Sequence, residues 1–159
     1  MALPINIISE SDFVGVFNLY KPLNSKINLY VEQFAPSLLN KLFGAELAKE
    51  VIANRNTTDV NSKYYPLING VGDFINLKFA LLGFVWFEYV SDDQFRQTGS
   101  GTKKPKSETN EDASLSSSIV YPKYNYSVRQ WNFCIDYIEA NLHLYPNFKG
   151  QKQKLNTWL

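Results

Sequence analysis

Between Asp73 and Val90 lies a stretch whose apolar residues leave almost no side of a helix free. Phe74, Leu77, Leu81, Phe84 and Val85 fall along one side at helical spacing, and Ile75, Phe79, Leu82, Trp86 and Tyr89 fall along another. A helix that is apolar nearly all round must be enclosed by other elements. It is too short for a bilayer: Lys78 and Glu88 bracket an apolar run well under the roughly 20 residues a span needs. The stretch therefore reads as the central helix of a small all-α bundle, with the other helices serving to cover it.

The rest of the chain supplies those covers. At 159 residues it suits one domain with one core. Ser9 to Asp12 reads as a helix start, with capping oxygens and acids at the positive end, and a short helix is expected to about Tyr20. Leu3 to Ile8 before it reads as an extended arm. Ile27, Tyr30, Val31, Phe34 and Leu38 recur every three or four residues, so a second helix follows cap candidates Asn24 and Ser25; Pro36 should kink or break it, and Gly44 should stop it. Ala45 to Ala53 is a further short helix. Residues 54–63 read as a loop, Tyr64 to Ile68 as an aromatic anchor, and Asp73 as the cap of the central helix. Tyr124, Val128, Trp131, Ile135, Ile138 and Leu142 form the clearest helical seam, widened by Phe133 and Tyr137 and ending near His143. Ile119 to Tyr121 reads either as a short strand or as the lead-in to that helix.

Two segments fall outside this pattern. Residues 91–118 are rich in Gly, Ser, Thr, Lys, Glu and Asp, with Phe95 and Leu115 as large apolar residues; a polar excursion this long is usually functional or disordered. It reads as a projecting loop, with a short β-hairpin as one form it can take. Residues 145–159 form a tail with Lys149, Lys152 and Lys154, no acid, and Trp158 near its end. The expected organisation is thus one domain, with the bundle in 8–90 and 120–144, the loop between them and extended terminal arms.

Chemistry is sparse. Lys plus Arg number 16 and Asp plus Glu 15, so no global field draws in nucleic acid or an anionic membrane. The start lacks the basic and apolar regions of a signal peptide. The single cysteine, Cys134, excludes an internal disulfide and a cysteine-rich metal site, and reads as a small core residue. His143 lies about half a turn out of phase with it on one helix, so the two form no dyad there. Glu88, Asp92 and Asp93 read as a solvated helix end, because no histidine or further acid is spaced to complete a metal shell. Gly99 to Lys104 lacks the spacing of a phosphate-binding loop. The expectation is a protein that is not an enzyme and carries no metal or cofactor. Trp158 either folds back onto its own core or anchors in a partner's pocket.

The order of parts resembles a family. The short opening helix, Leu38 to Leu47, the Tyr64 to Gly70 segment, the aromatic helix ending at Val90, the Thr98-containing polar excursion, and the last helix with Trp131 and Tyr137 are together similar to the small helical head–tail connector proteins of tailed bacteriophages, also called adaptor, neck-ring or head-completion proteins. The resemblance rests on apolar and turn patterns over most of the chain, and the tail from Tyr145 departs from it. It implies a structural virion protein forming a homo-oligomeric, dodecameric ring beneath the portal, docking a further neck or tail protein, and passing DNA through its channel without specific binding, with no membrane contact. On that reading Phe95, Thr98, Lys103, Lys104, Leu115, Lys149, Lys152, Lys154 and Trp158 are the expected subunit and partner contacts. The alternative is a small nucleic-acid-binding or regulatory module using the basic tail.

Overall fold

A computed structural model describes residues 7–18, 26–93, 96–98, 101–103 and 117–155. It is an all-α bundle. Helices α1 (Lys26–Phe43), α2 (Ala45–Ala53), α3 (Tyr65–Asn69), α4 (Leu77–Asp93) and α5 (Ser117–Ala140) are joined by 3-10 turns at Glu10–Asp12, Gly15–Phe17 and Leu142–Leu144. Strands β1 (Arg96–Thr98) and β2 (Gly101–Lys103) form an antiparallel pair between α4 and α5.

The expected central helix is central. Every residue from Leu81 to Trp86 is buried, as the all-round apolar pattern requires. α4 packs chiefly on α5 and next on α1, while α2 covers α1 and α3 touches α4. α4 and α5 come close together at Gly83 and Ser127. The Ser127 hydroxyl donates to the Phe79 carbonyl at 2.6 Å and accepts the Gly83 N–H at 2.9 Å, so it sits between the donor and acceptor of a single turn of α4. A Cβ on Gly83 would lie 2.4 Å from that oxygen. Both residues are buried. Phe84 meets Trp131 and Tyr124 edge-on at centroid distances of 5.2 and 5.0 Å, extending the same contact.

Several local expectations are corrected. Asp73 is not the cap of α4. Residues 70–74 are used up in a tight loop, in which Val71 and Phe74 exchange backbone hydrogen bonds of 2.8 and 3.0 Å. Gln130 of α5 secures the exit, accepting the Ile75 N–H at 2.7 Å and donating to the Asp73 carbonyl at 3.2 Å. The helix then starts at Leu77, with the Asn76 side chain accepting the Phe79 N–H at 3.1 Å. Pro36 does not break α1, which runs on to Phe43. Pro36 and Glu32 both lie on the exposed side, where the carbonyl left without a donor can meet water, while Val31, Ala35 and Leu39 keep the inner face packed. The opening segment forms two 3-10 turns rather than one helix over residues 9–18. The Ser9 N–H and hydroxyl both donate to Asp12 Oδ2, at 2.8 and 3.0 Å. Asp12 Oδ1 in turn pairs with Lys78 Nζ of α4 at 2.7 Å. Ile8, Phe13 and Phe17 are buried, so tertiary packing sets this shape.

At the other end, residues 119–121 lie inside α5, which takes the lead-in reading over the strand. The helix stops at Ala140, short of His143, because the chain turns through Leu142–Leu144 to place Tyr145 in the core. Leu142 and Phe133, assigned to the buried face from their spacing, are 51% and 37% exposed. Cys134 is buried as expected, and desolvation pushes its thiol well above the ordinary range.

Gly83→Ala is expected to destabilise the fold by roughly 2–3 kcal/mol, because the added methyl separates the two central helices. Ser127→Ala should cost less, about 1 kcal/mol, because the Gly83 N–H and Phe79 carbonyl can then bond to each other. Urea unfolding of both variants, followed by far-UV circular dichroism, measures the order.

Candidate functional site

Of the predicted contact residues, Thr98 and Lys103 fall on the hairpin and Lys149, Lys152 and Lys154 on the C-terminal segment. In the hairpin, Thr98 pairs with Gly101 and Arg96 with Lys103. It follows α4 directly, because that helix continues to Asp93, beyond the Val90 boundary read from the sequence. Phe95, Lys104, Leu115 and Trp158 lie outside the described residues.

The C-terminal segment through Leu155 is not a projecting arm. It is a strap laid along the seam between α1 and α5. The Lys149 N–H donates to the Phe43 carbonyl at 3.0 Å as the strap passes the end of α1. Here Gly150 is required by contact, since a Cβ on it would meet the Leu42 carbonyl oxygen at 1.8 Å. Trp131 Nε1 of α5 donates to the Gln151 carbonyl at 2.8 Å. Asn132 then grips Gln153 at both backbone groups, donating to its carbonyl and accepting its N–H, each at 2.9 Å. Of the three tail lysines, Lys152 is paired with Asp136 at 2.5 Å and lies 3.7 Å from Glu139. Its hydrogen bond to Asp136 is the main cause of a raised pKa. Lys149 and Lys154 are exposed.

The strap is locked at its start by a polar cluster that the sequence did not single out. Glu50 of α2 accepts the Tyr64 hydroxyl at 2.7 Å, Asn147 Nδ2 at 2.7 Å and Lys63 Nζ at 3.4 Å. Lys63 also donates to the Leu144 carbonyl at 3.2 Å, and the buried Tyr145 hydroxyl donates to the Lys63 carbonyl. Hydrogen bonds from Tyr64 and Asn147 hold the Glu50 carboxyl below its ordinary value. A carboxylate so occupied is a poor general base, and it acts as a clamp between α2, the loop before α3 and the strap. Nothing in the sequence separates Glu50 from the other acids, because its partners come from positions 63, 64 and 147.

Beside Gln153 of the strap lies a cleft of about 280 Å³. Phe34 and Leu38 of α1, Phe84 and Phe87 of α4, and Tyr124 and Trp131 of α5 make it aromatic and apolar. Ser37, Lys41, Glu88 and Gln153 supply polar edges. This is at or below the small end of ligand pockets, which run from roughly 300 to 1,000 Å³, and suits a side chain better than a cofactor. Among the described residues no group of three or more His, Cys, Asp or Glu is placed to hold a metal ion. Asp92 instead accepts the Tyr30 hydroxyl at 2.7 Å, joining α4 to α1. No described helix is long and apolar enough to cross a membrane. Comparison with family models, curated proteins and solved structures finds no match to this chain.

Asn132→Ala removes both bonds to Gln153 and should speed amide exchange at Gln153 by about tenfold or more, while amides in the centre of α4 keep their protection. Glu50→Gln should lower stability at neutral pH, with the difference shrinking as pH falls. The sign follows from linkage: the folded-state pKa lies below the unfolded one, so the ionised clamp stabilises above the ordinary carboxylate range. That contribution is lost as pH falls through the folded value. Denaturant midpoints of both proteins at pH 7 and pH 3 measure it.

Proposed function

We propose that this chain is a ring-forming subunit of a bacteriophage head–tail connector, seated beneath the portal in the virion neck and extending the DNA channel. The observation that carries the reading is the β1–β2 hairpin, attached to the end of the most deeply buried helix. Isolated two-stranded hairpins are marginal in water, and this one has three residues per strand. A neighbouring subunit that packs on it or adds to its edge supplies the missing stabilisation. A head-to-tail ring needs different patches on the two sides of each subunit. A hairpin on a stiff helical body provides one such patch, and the aromatic cleft between α1, α4 and α5 lies elsewhere on the same body. The near-neutral charge of the chain suits a channel through which DNA slides without being held. The nucleic-acid-binding alternative draws less support, because Lys152 is matched by two carboxylates of α5.

Deleting residues 99–112 should leave a helical, folded monomer that no longer assembles with portal protein. Native mass spectrometry of the intact and deleted chains, each alone and with portal, reads this directly. Normal assembly of the deleted chain would sink the assignment of the hairpin region as a subunit contact.

A further inference from the structure

The aromatic cleft has two unlike ends. Tyr30, one turn before Phe34 on α1, donates its hydroxyl to Asp92, one turn after Glu88 on α4, so Phe34 and Glu88 share one end. Phe87 meets Tyr124 at 5.2 Å, which sets Tyr124 there too. Lys41 marks the other end, about 10 Å along α1 from Phe34. There the strap bonds the Phe43 carbonyl through Lys149 and the Trp131 indole through Gln151. At the Glu88 end three half-buried rings, Phe34, Phe87 and Tyr124, surround an exposed carboxylate. Among the described residues no lysine or arginine forms an ion pair with Glu88. Burial, and after it the field of Glu88, raise the Tyr124 phenol above its ordinary value, so the carboxylate acts across these rings.

We propose that this end of the cleft receives an arginine side chain of a partner protein, with the guanidinium against the rings of Phe34, Phe87 and Tyr124 and its charge met by Glu88. Charge selects the occupant. Aromatic faces carry negative potential and attract a cation, and the carboxylate beside them adds to it. An anion would meet both with the wrong sign. An apolar side chain would strip water from Glu88 and return no hydrogen bond. Among cations, a guanidinium is planar, stacks on rings, sheds water at lower cost than an ammonium, and can bond a carboxylate through two N–H groups. Phe87 and Tyr124 stand at 62° to each other, and Phe84 and Tyr124 at 76°, so the ring planes face more than one direction around the space. The volume of about 280 Å³ fits one long side chain and falls short of most free ligands. Lys41, at the opposite end, is too far along α1 to neutralise Glu88 and lies where the partner's backbone carbonyls would enter. The inference does not depend on the connector reading.

The probe is arginine acetylated at its amine and amidated at its carboxyl, titrated into the isotope-labelled full chain and followed by amide chemical shifts. Saturable shifts at Phe34, Phe87 and Tyr124, with a Kd in the millimolar range, are expected for one side chain without the rest of its partner. Blocked citrulline, which has the same shape without the charge, should bind about fivefold more weakly or worse. Glu88→Gln, a change at an exposed position that leaves the fold intact, should weaken the arginine probe about fivefold, whereas Lys41→Gln should not weaken it. Absence of saturable shifts, equal binding of citrulline, or an unchanged Kd in Glu88→Gln would overturn the proposal. So would tighter binding of blocked glutamate or blocked leucine, which would make the cleft an anion or apolar site, or of free arginine, which would make it a site for a metabolite. The same shifts appearing as the protein alone is concentrated would place a second copy in the cleft and also overturn it. Because portal plays no part in this measurement, its outcome is separate from that of the assembly experiment.

Discussion

The contact between Gly83 and Ser127 sets the spacing of the whole molecule. A residue without a side chain lets α5 come close enough for a serine hydroxyl to enter a turn of α4. That approach brings Phe84 against Trp131 and Tyr124 and, one turn along, Phe87 against Tyr124. The hydroxyl finds both a donor and an acceptor, so a polar group is buried at the centre of the core without being left unpaired. The other elements are arranged around this pair: α1 closes a second side of α4, and the amino-terminal 3-10 turns add Phe13 and Phe17 to the same core.

The strap is held by a different kind of interaction. Its sequence is polar, and little of it is buried except Tyr145 and part of Phe148. It is fixed by backbone groups bonded to Phe43, Trp131 and Asn132, and by the cluster on Glu50. Such bonds give direction more than stability, since each contributes about 1 kcal/mol net. Their effect is to lay an irregular segment along one groove.

The bundle was legible in the sequence because helical periodicity reports burial directly. The apolar residues from Leu77 to Trp86, Phe79 only in part, and the seam through Val128, Trp131, Ile135 and Ile138 describe surfaces that are buried, whereas Ile75, counted in the same pattern, precedes the helix and is 45% exposed. What periodicity could not supply were contacts between distant positions. Asp73 is a reasonable cap until Gln130, far along the chain, claims the preceding loop. Pro36 is a reasonable break until packing on both sides of it carries the helix through. The tail looked free because its composition is that of a solvated segment. It is held largely through its own backbone groups, and backbone hydrogen bonding leaves no trace in residue type. The polar residues that matter most for the strap, Glu50 and Asn132, carry no local signal for the same reason.

The lone thiol of Cys134 is enclosed on α5 between Trp131 and Ile138, fully screened from solvent and held in its neutral form. Alkylating reagents should therefore leave the native chain untouched and mark it only when the bundle opens. The protein thus carries its own reporter of core breathing, and spectroscopic labels can be attached at surface positions without first removing the natural cysteine.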